Sequence, residues 1–157
     1  MGSNTVIYRG YGNQKSSGGR LVVVDVNGDL SPLPHQSKHS PTGMSWGYSG
    51  SGPADLARSL LIHALGDRAR CATCAGSGEV VYDTVARLDI PVASRSPDAD
   101  PGRYSEVLGC NECEEGCAVS RACYQRFKHD VIAGLSESGW SLTQNQILQW
   151  VDEYPSS

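Results

Sequence analysis

Two Cys-x-x-Cys turns, Cys71-Ala-Thr-Cys74 and Cys110-Asn-Glu-Cys113, constrain this chain more than any other feature of its sequence. Zinc takes four soft or borderline ligands in a tetrahedron about 2.3 Å from each sulfur, and a single such turn supplies two of them because its backbone aims both thiolates at one point. The 35 residues between the turns leave room for a hairpin that brings the chain back to its start, so the two turns can close one site. Cys71, Cys74, Cys110 and Cys113 are therefore read as the ligands of one structural Zn2+. Four cysteines fill the coordination sphere, whereas catalytic zinc keeps a position for water. No His-x-Glu accompanies the second turn, so the zinc deaminase pattern is missing as well.

Reading the cysteines as ligands requires a reducing compartment, since an oxidising one would favour disulfides. The chain has no apolar run of roughly 18 residues or more, and its first residues lack the charged-then-apolar pattern of a signal peptide, so a cytoplasmic protein away from membranes is expected. Two further cysteines, Cys117 and Cys123, make an alternative set with Cys110 and Cys113 that would suit an iron–sulfur cluster. On a helix, however, positions six apart point about 240° away from each other around the axis. Cys123 is read as a small core residue and Cys117, near a helix start, as a buried thiol or substitute ligand.

At 157 residues the chain fits one compact domain with a large insertion. The expected class is α+β: a small N-terminal antiparallel sheet packed with about three helices, plus a zinc-stapled, hairpin-like insertion over residues 70–116. Strands are expected at Thr5 to Tyr11 and Leu21 to Val26, joined by a glycine-serine turn, with Asn27-Gly28 as a tight turn and Leu30 and Leu33 in a short third strand. Leu56, Leu60, Leu61 and Leu65 mark one face of a helix from Ala54 to Leu65, with Pro53 in its first turn and Ser51 or Gly52 as cap. Inside the insertion, Glu79 to Val85 and Tyr104 to Leu108 read as strands. Tyr124, Phe127, Val131 and Leu135 predict a second helix from Ala118 to Leu135, ending near Gly139. Thr143 and Gln146 form a capping box for a third, which Pro155 stops.

The first cysteine turn continues as Ala75-Gly-Ser-Gly78 and so resembles the Cys-x-x-Cys-x-Gly-x-Gly repeat of the cysteine-rich domain in DnaJ-type chaperones. The resemblance covers eight residues and implies zinc-knuckle geometry alone, because the second turn continues as Glu114-Glu115-Gly116 and no His-Pro-Asp signature occurs. A wider resemblance rests on Tyr8-Arg-Gly-Tyr11, His39-Ser-Pro-Thr-Gly43, Trp46-Gly-Tyr-Ser-Gly-Ser-Gly-Pro53 with Ala54, Leu56 and Ala57, then Tyr124-Gln-Arg-Phe-Lys128 and Gly139-Trp140 to Trp150. These stretches resemble a family of unknown function numbered 6166, which implies a bacterial or phage setting and no particular reaction.

Function is bounded mainly by what is absent. The net charge of -4 comes from interspersed acidic and basic residues, with Arg68, Arg70, Arg87, Arg95 and Arg103 offset by Glu112, Glu114 and Glu115, so duplex nucleic acid is not an expected partner. His35, His39, His63 and His129 are scattered, no nucleophile–base pair stands out, and no catalytic residue is assigned. The expected function is a protein-binding module, made by a phage or mobile element to act on a host protein or defence system, with the zinc-stapled insertion as its recognition surface. The alternative is a small anionic ligand, nucleotide or phosphate-like, held at the glycine-rich turn before the first helix by Arg9, His39, Trp46, Tyr48, Ser49, Gly50, Ser51 and Gly52.

Overall fold

The structure, a computed structural model, describes residues 5–12, 20–41, 43–114 and 116–154. The glycine-serine turn expected around residues 13–19 lies outside these residues, as do Thr42, Glu115 and Pro155. In chain order the elements are β1 (Val6–Tyr11), β2 (Val22–Val26), β3 (Asp29–Pro32), α1 (Ser51–Leu65), β4 (Glu79–Asp83), β5 (Leu88–Pro91), β6 (Leu108–Gly109), α2 (Arg121–Asp130), β7 (Gly139–Thr143) and α3 (Gln144–Glu153). This is an α+β chain that divides into two compact units, residues 1–65 with 121–157 in one and residues 66–120 in the other. The second unit is a few residues wider at each end than the 70–116 insertion expected from composition.

In the first unit a four-stranded sheet has the order β3-β2-β1-β7, with every neighbouring pair antiparallel. The register sets Tyr8 opposite Val24 and Gly10 opposite Val22, so these side chains share one face, and Tyr8, Val22 and Val24 are fully buried there. The Tyr8 hydroxyl lies 2.8 Å from His63 Nδ1 on α1, which identifies the helix-covered side. Trp46, Leu56, Leu60, Leu61, Tyr124, Phe127, Ile132 and Ile147 complete this core. Each large aliphatic side chain buried this way is worth about 1.5–3 kcal/mol against leaving it in water.

Three sequence expectations change here. Helix α1 begins at Ser51, so Ser51 and Gly52 lie in its first turn instead of capping it; the first i→i−4 bond runs from Ala54 N–H to Gly50 O at 3.0 Å. The expected 118–135 helix is only α2, because Val131 takes φ −123° and ψ −55° and a short 3-10 turn at Ile132–Gly134 follows, burying Ile132. Gly139 opens a strand that the helical periodicity had obscured: β7 pairs along β1, and the Trp140 ring lies over Gly10, where any Cβ would strike it. The capping box forms as expected, with Gln146 N–H donating to Thr143 Oγ1 at 3.0 Å and Thr143 N–H to Gln146 Oε1 at 2.8 Å.

The second unit has a three-stranded antiparallel sheet in the order β5-β4-β6, of which β5 has no counterpart in the sequence reading. Its central strand buries Val80 and Val81, one on each face. Asp83 at the end of β4 is also buried and takes a two-pronged bond from Arg103, Nε at 3.0 Å and Nη2 at 2.9 Å. The bond to Arg103 holds the Asp83 carboxyl down to about 2, with the Ala86 and Val85 amides assisting against burial. This pair ties the end of β4 to the segment that follows β5.

Candidate metal centre

The sulfur atoms of Cys71, Cys74, Cys110 and Cys113 all lie within 4.8 Å of one another, the sole such cluster among the described residues. Cys71 and Cys110 are separated by 3.9 Å and Cys74 and Cys113 by 3.6 Å. A tetrahedron with metal–sulfur bonds of 2.3 Å has an edge of about 3.8 Å, whereas a disulfide needs about 2.05 Å. All four cysteines are free. The donor set and its spacing thus fit one tetrahedral thiolate-bound ion.

The two turns meet through a reciprocal set of backbone bonds. Cys71 N–H donates to Gly116 O at 2.9 Å, and Cys110 N–H donates to Gly78 O at 2.8 Å, so the first cysteine of each turn is tied to the glycine that ends the other. Each of those glycines also donates its N–H to the second sulfur of its own turn, Gly78 to Cys74 at 3.2 Å and Gly116 to Cys113 at 3.3 Å. From sequence, Gly76 and Gly78 are singled out as part of the first turn but Gly116 is not. Its signal was available: a glycine three residues past the second cysteine. Gly116 has φ +88°, and a Cβ there would overlap the Gly76 carbonyl oxygen, so both conformation and space require glycine.

Burial and charge act unequally on the thiols. Burial pushes Cys74 up, but the amides of Gly78 and Gly76 and the neighbouring thiols outweigh it and bring the group down to about 7. Cys113 is pushed up to about 12, first by burial and then by the adjoining thiols, against the Gly116 amide. In such a cluster the first proton leaves easily and the resulting charge holds the others on; a divalent cation relieves that repulsion and releases the remaining protons. Val80 seals the inner side of the cluster.

Cys117 and Cys123 stand outside the group. Cys117 is half-buried with its backbone paired to Glu114 and Arg70, while Cys123 is half-buried in α2, so the iron–sulfur set of Cys110, Cys113, Cys117 and Cys123 is not brought together.

Of the residues expected to hold an anionic ligand, Arg9, Trp46 and His39 carry structural contacts. Arg9 pairs with Asp25 at 3.6 Å and, one residue on from Tyr8 along β1, points to the sheet face away from the one Tyr8 occupies. Trp46 is fully buried, its indole N–H donating to Ser136 O at 2.9 Å. The His39 ring meets the Tyr124 hydroxyl at 2.7 Å. Tyr48, Ser49 and Ser51 remain partly or fully exposed, Gly50 is partly covered by the Tyr48 ring, and Gly52 is buried against Ser45. His63 is half-buried against Tyr8, and burial lowers its pKa.

The protein's own donors gather around one buried carboxylate in this unit. The Asp55 side chain, 0% exposed, accepts the N–H groups of His39 at 2.8 Å, Ser40 at 2.9 Å and Lys38 at 3.2 Å, and meets His35 Nε2 at 2.8 Å. Burial raises its pKa, and the His35 bond with those three amides reverses the shift to leave it lowered. The 35–40 loop is therefore wrapped around one carboxylate of α1.

Comparison with known sequences adds one finding. The model of a family of unknown function (DUF6166) matches residues 8–94, more than half of the chain. The match includes Tyr8, His39, Trp46, Asp55 and the first cysteine turn, and stops before the second. No curated protein and no solved structure matches.

Proposed function

The chain belongs to the family of unknown function DUF6166, and from that premise we propose that it is a zinc-stapled protein-binding module. One structural zinc ion holds Cys71, Cys74, Cys110 and Cys113, and the unit it closes, residues 66–120, is the recognition surface through which a phage or mobile-element factor acts on a host protein. The observation that carries this reading is a mismatch within the unit. It buries few large apolar side chains, Val80, Val81 and Val119, yet exposes Tyr82, Val85, Leu88, Val107 and Leu108. A structural metal replaces the missing core, and apolar groups left in water on the sheet and its flanking turns serve contact.

Metal analysis of the purified chain tests the first half. One zinc equivalent is expected, lost on replacing Cys71, Cys74, Cys110 or Cys113 by Ser and kept in the Cys117→Ser and Cys123→Ser variants. Equal loss at all six positions would overturn the ligand set. Affinity capture with the intact chain and with a Leu88→Ser/Leu108→Ser variant tests the second half. A host protein retained by the first and released by the second is expected; no partner, or one held equally by both, contradicts it.

A further inference from the structure

We infer that the partner of this unit presents a basic segment interspersed with apolar side chains, docking on the sheet face that carries Tyr82, Asp89 and Leu108. The inference rests on the protein-binding reading above and specifies the chemistry of its partner. Antiparallel register places Tyr82 opposite Asp89, and Val80 opposite both Pro91 and Leu108, so these side chains share one face of the sheet. Val80 is buried against the four cysteines, which fixes the floor of that face, while Tyr82 is 39% and Leu108 42% exposed. The metal centre thus covers the Val80 end of this face, and Tyr82 and Leu108 stay exposed beside it.

Charge is divided unevenly along the chain. Of its 17 acidic and 13 basic residues, ten acidic and five basic lie between Gly66 and Ser120, leaving seven and eight in the other unit. A divalent ion on four thiolates adds two further negative charges. Arg103 and Asp83 pair with each other, which leaves nine acidic and four basic residues of the unit outside that ion pair. Asp89, beside Tyr82, has no ion-pair partner among the described residues. An apolar strip in a field of one sign selects a partner of the other sign, and it repels nucleic acid.

The test is a titration of the isotopically labelled, zinc-loaded full chain, followed by amide chemical shifts. Two synthetic peptides serve as probes, one alternating Lys with Val over twelve residues and one with Glu in place of every Lys. The basic peptide is expected to perturb Tyr82, Asp89 and Leu108, with affinity falling about tenfold between 50 and 200 mM salt. The acidic peptide is expected to leave them unmoved. Asp89→Lys should weaken binding several-fold with zinc content unchanged, as should Leu108→Ser. Equal response to both peptides overturns the basic-partner inference and leaves the protein-binding reading standing. Shifts at this face that grow with protein concentration alone identify a second copy as the occupant and overturn the inference, as does binding of a thymidine oligonucleotide there. Silence towards both peptides, together with no captured partner, defeats both readings.

Discussion

The two units solve the same problem with different materials. The unit built from both ends of the chain buries Trp46, Tyr8, Tyr124, Phe127, Leu56, Leu60, Leu61, Ile132 and Ile147, enough large side chains for an ordinary core. The unit of residues 66–120 buries Val80, Val81 and Val119 with little else besides Ala69, Cys71 and Cys74. A segment that small cannot offset its conformational entropy with so little apolar surface. In the proposed reading a metal on the four cysteines takes over together with the reciprocal glycine contacts, and the sheet is left free to display its apolar residues outward.

Variants that act on one unit alone can break this division. The largest effect is expected from Cys74→Ser, since structural zinc contributes on the order of 10 kcal/mol; zinc should be lost and the sheet of residues 79–109 should melt while α1 remains. Trp46→Ala should destabilise the other unit by about 3–5 kcal/mol, seen in its thermal transition, with the zinc stoichiometry unaltered. Asp55→Ala leaves three loop amides and His35 without their acceptor and should cost that unit about 3 kcal/mol. Because the Asp55 pKa is lowered on folding, its contribution is complete above the ordinary carboxylate range and fades as pH falls through the folded value. The thermal midpoint of the variant should therefore depend less on acid pH than that of the parent. Thr143→Ala removes the capping box of α3 and should cost about 1 kcal/mol, again without touching the metal.

Much of this was legible from residue types. Paired cysteine turns announce a ligand set because few other structures bring four thiols together, and α1 and the Thr143–Gln146 box follow from local periodicity and local hydrogen bonds. What escaped depends on distant or typeless partners. Strand β7 is specified by Trp140 and Leu142 lying along β1, more than a hundred residues away in sequence, and the apolar spacing before it imitated a longer helix. Asp55 is held largely by backbone amides, which every residue of the 38–40 loop carries alike, so nothing in the sequence marked it as a hub. The position of Gly116, three residues past Cys113, is visible in the sequence, but the reason that only glycine fits there lies in the facing carbonyl of Gly76.

Amide hydrogen exchange of the zinc-loaded chain, before and after a strong chelator removes the metal, tests the division most directly. Protection should collapse across β4, β5, β6 and both cysteine turns while β1, β2 and α1 keep theirs. Retention of protection in residues 66–120 without metal, or its loss in both units together, would contradict the account.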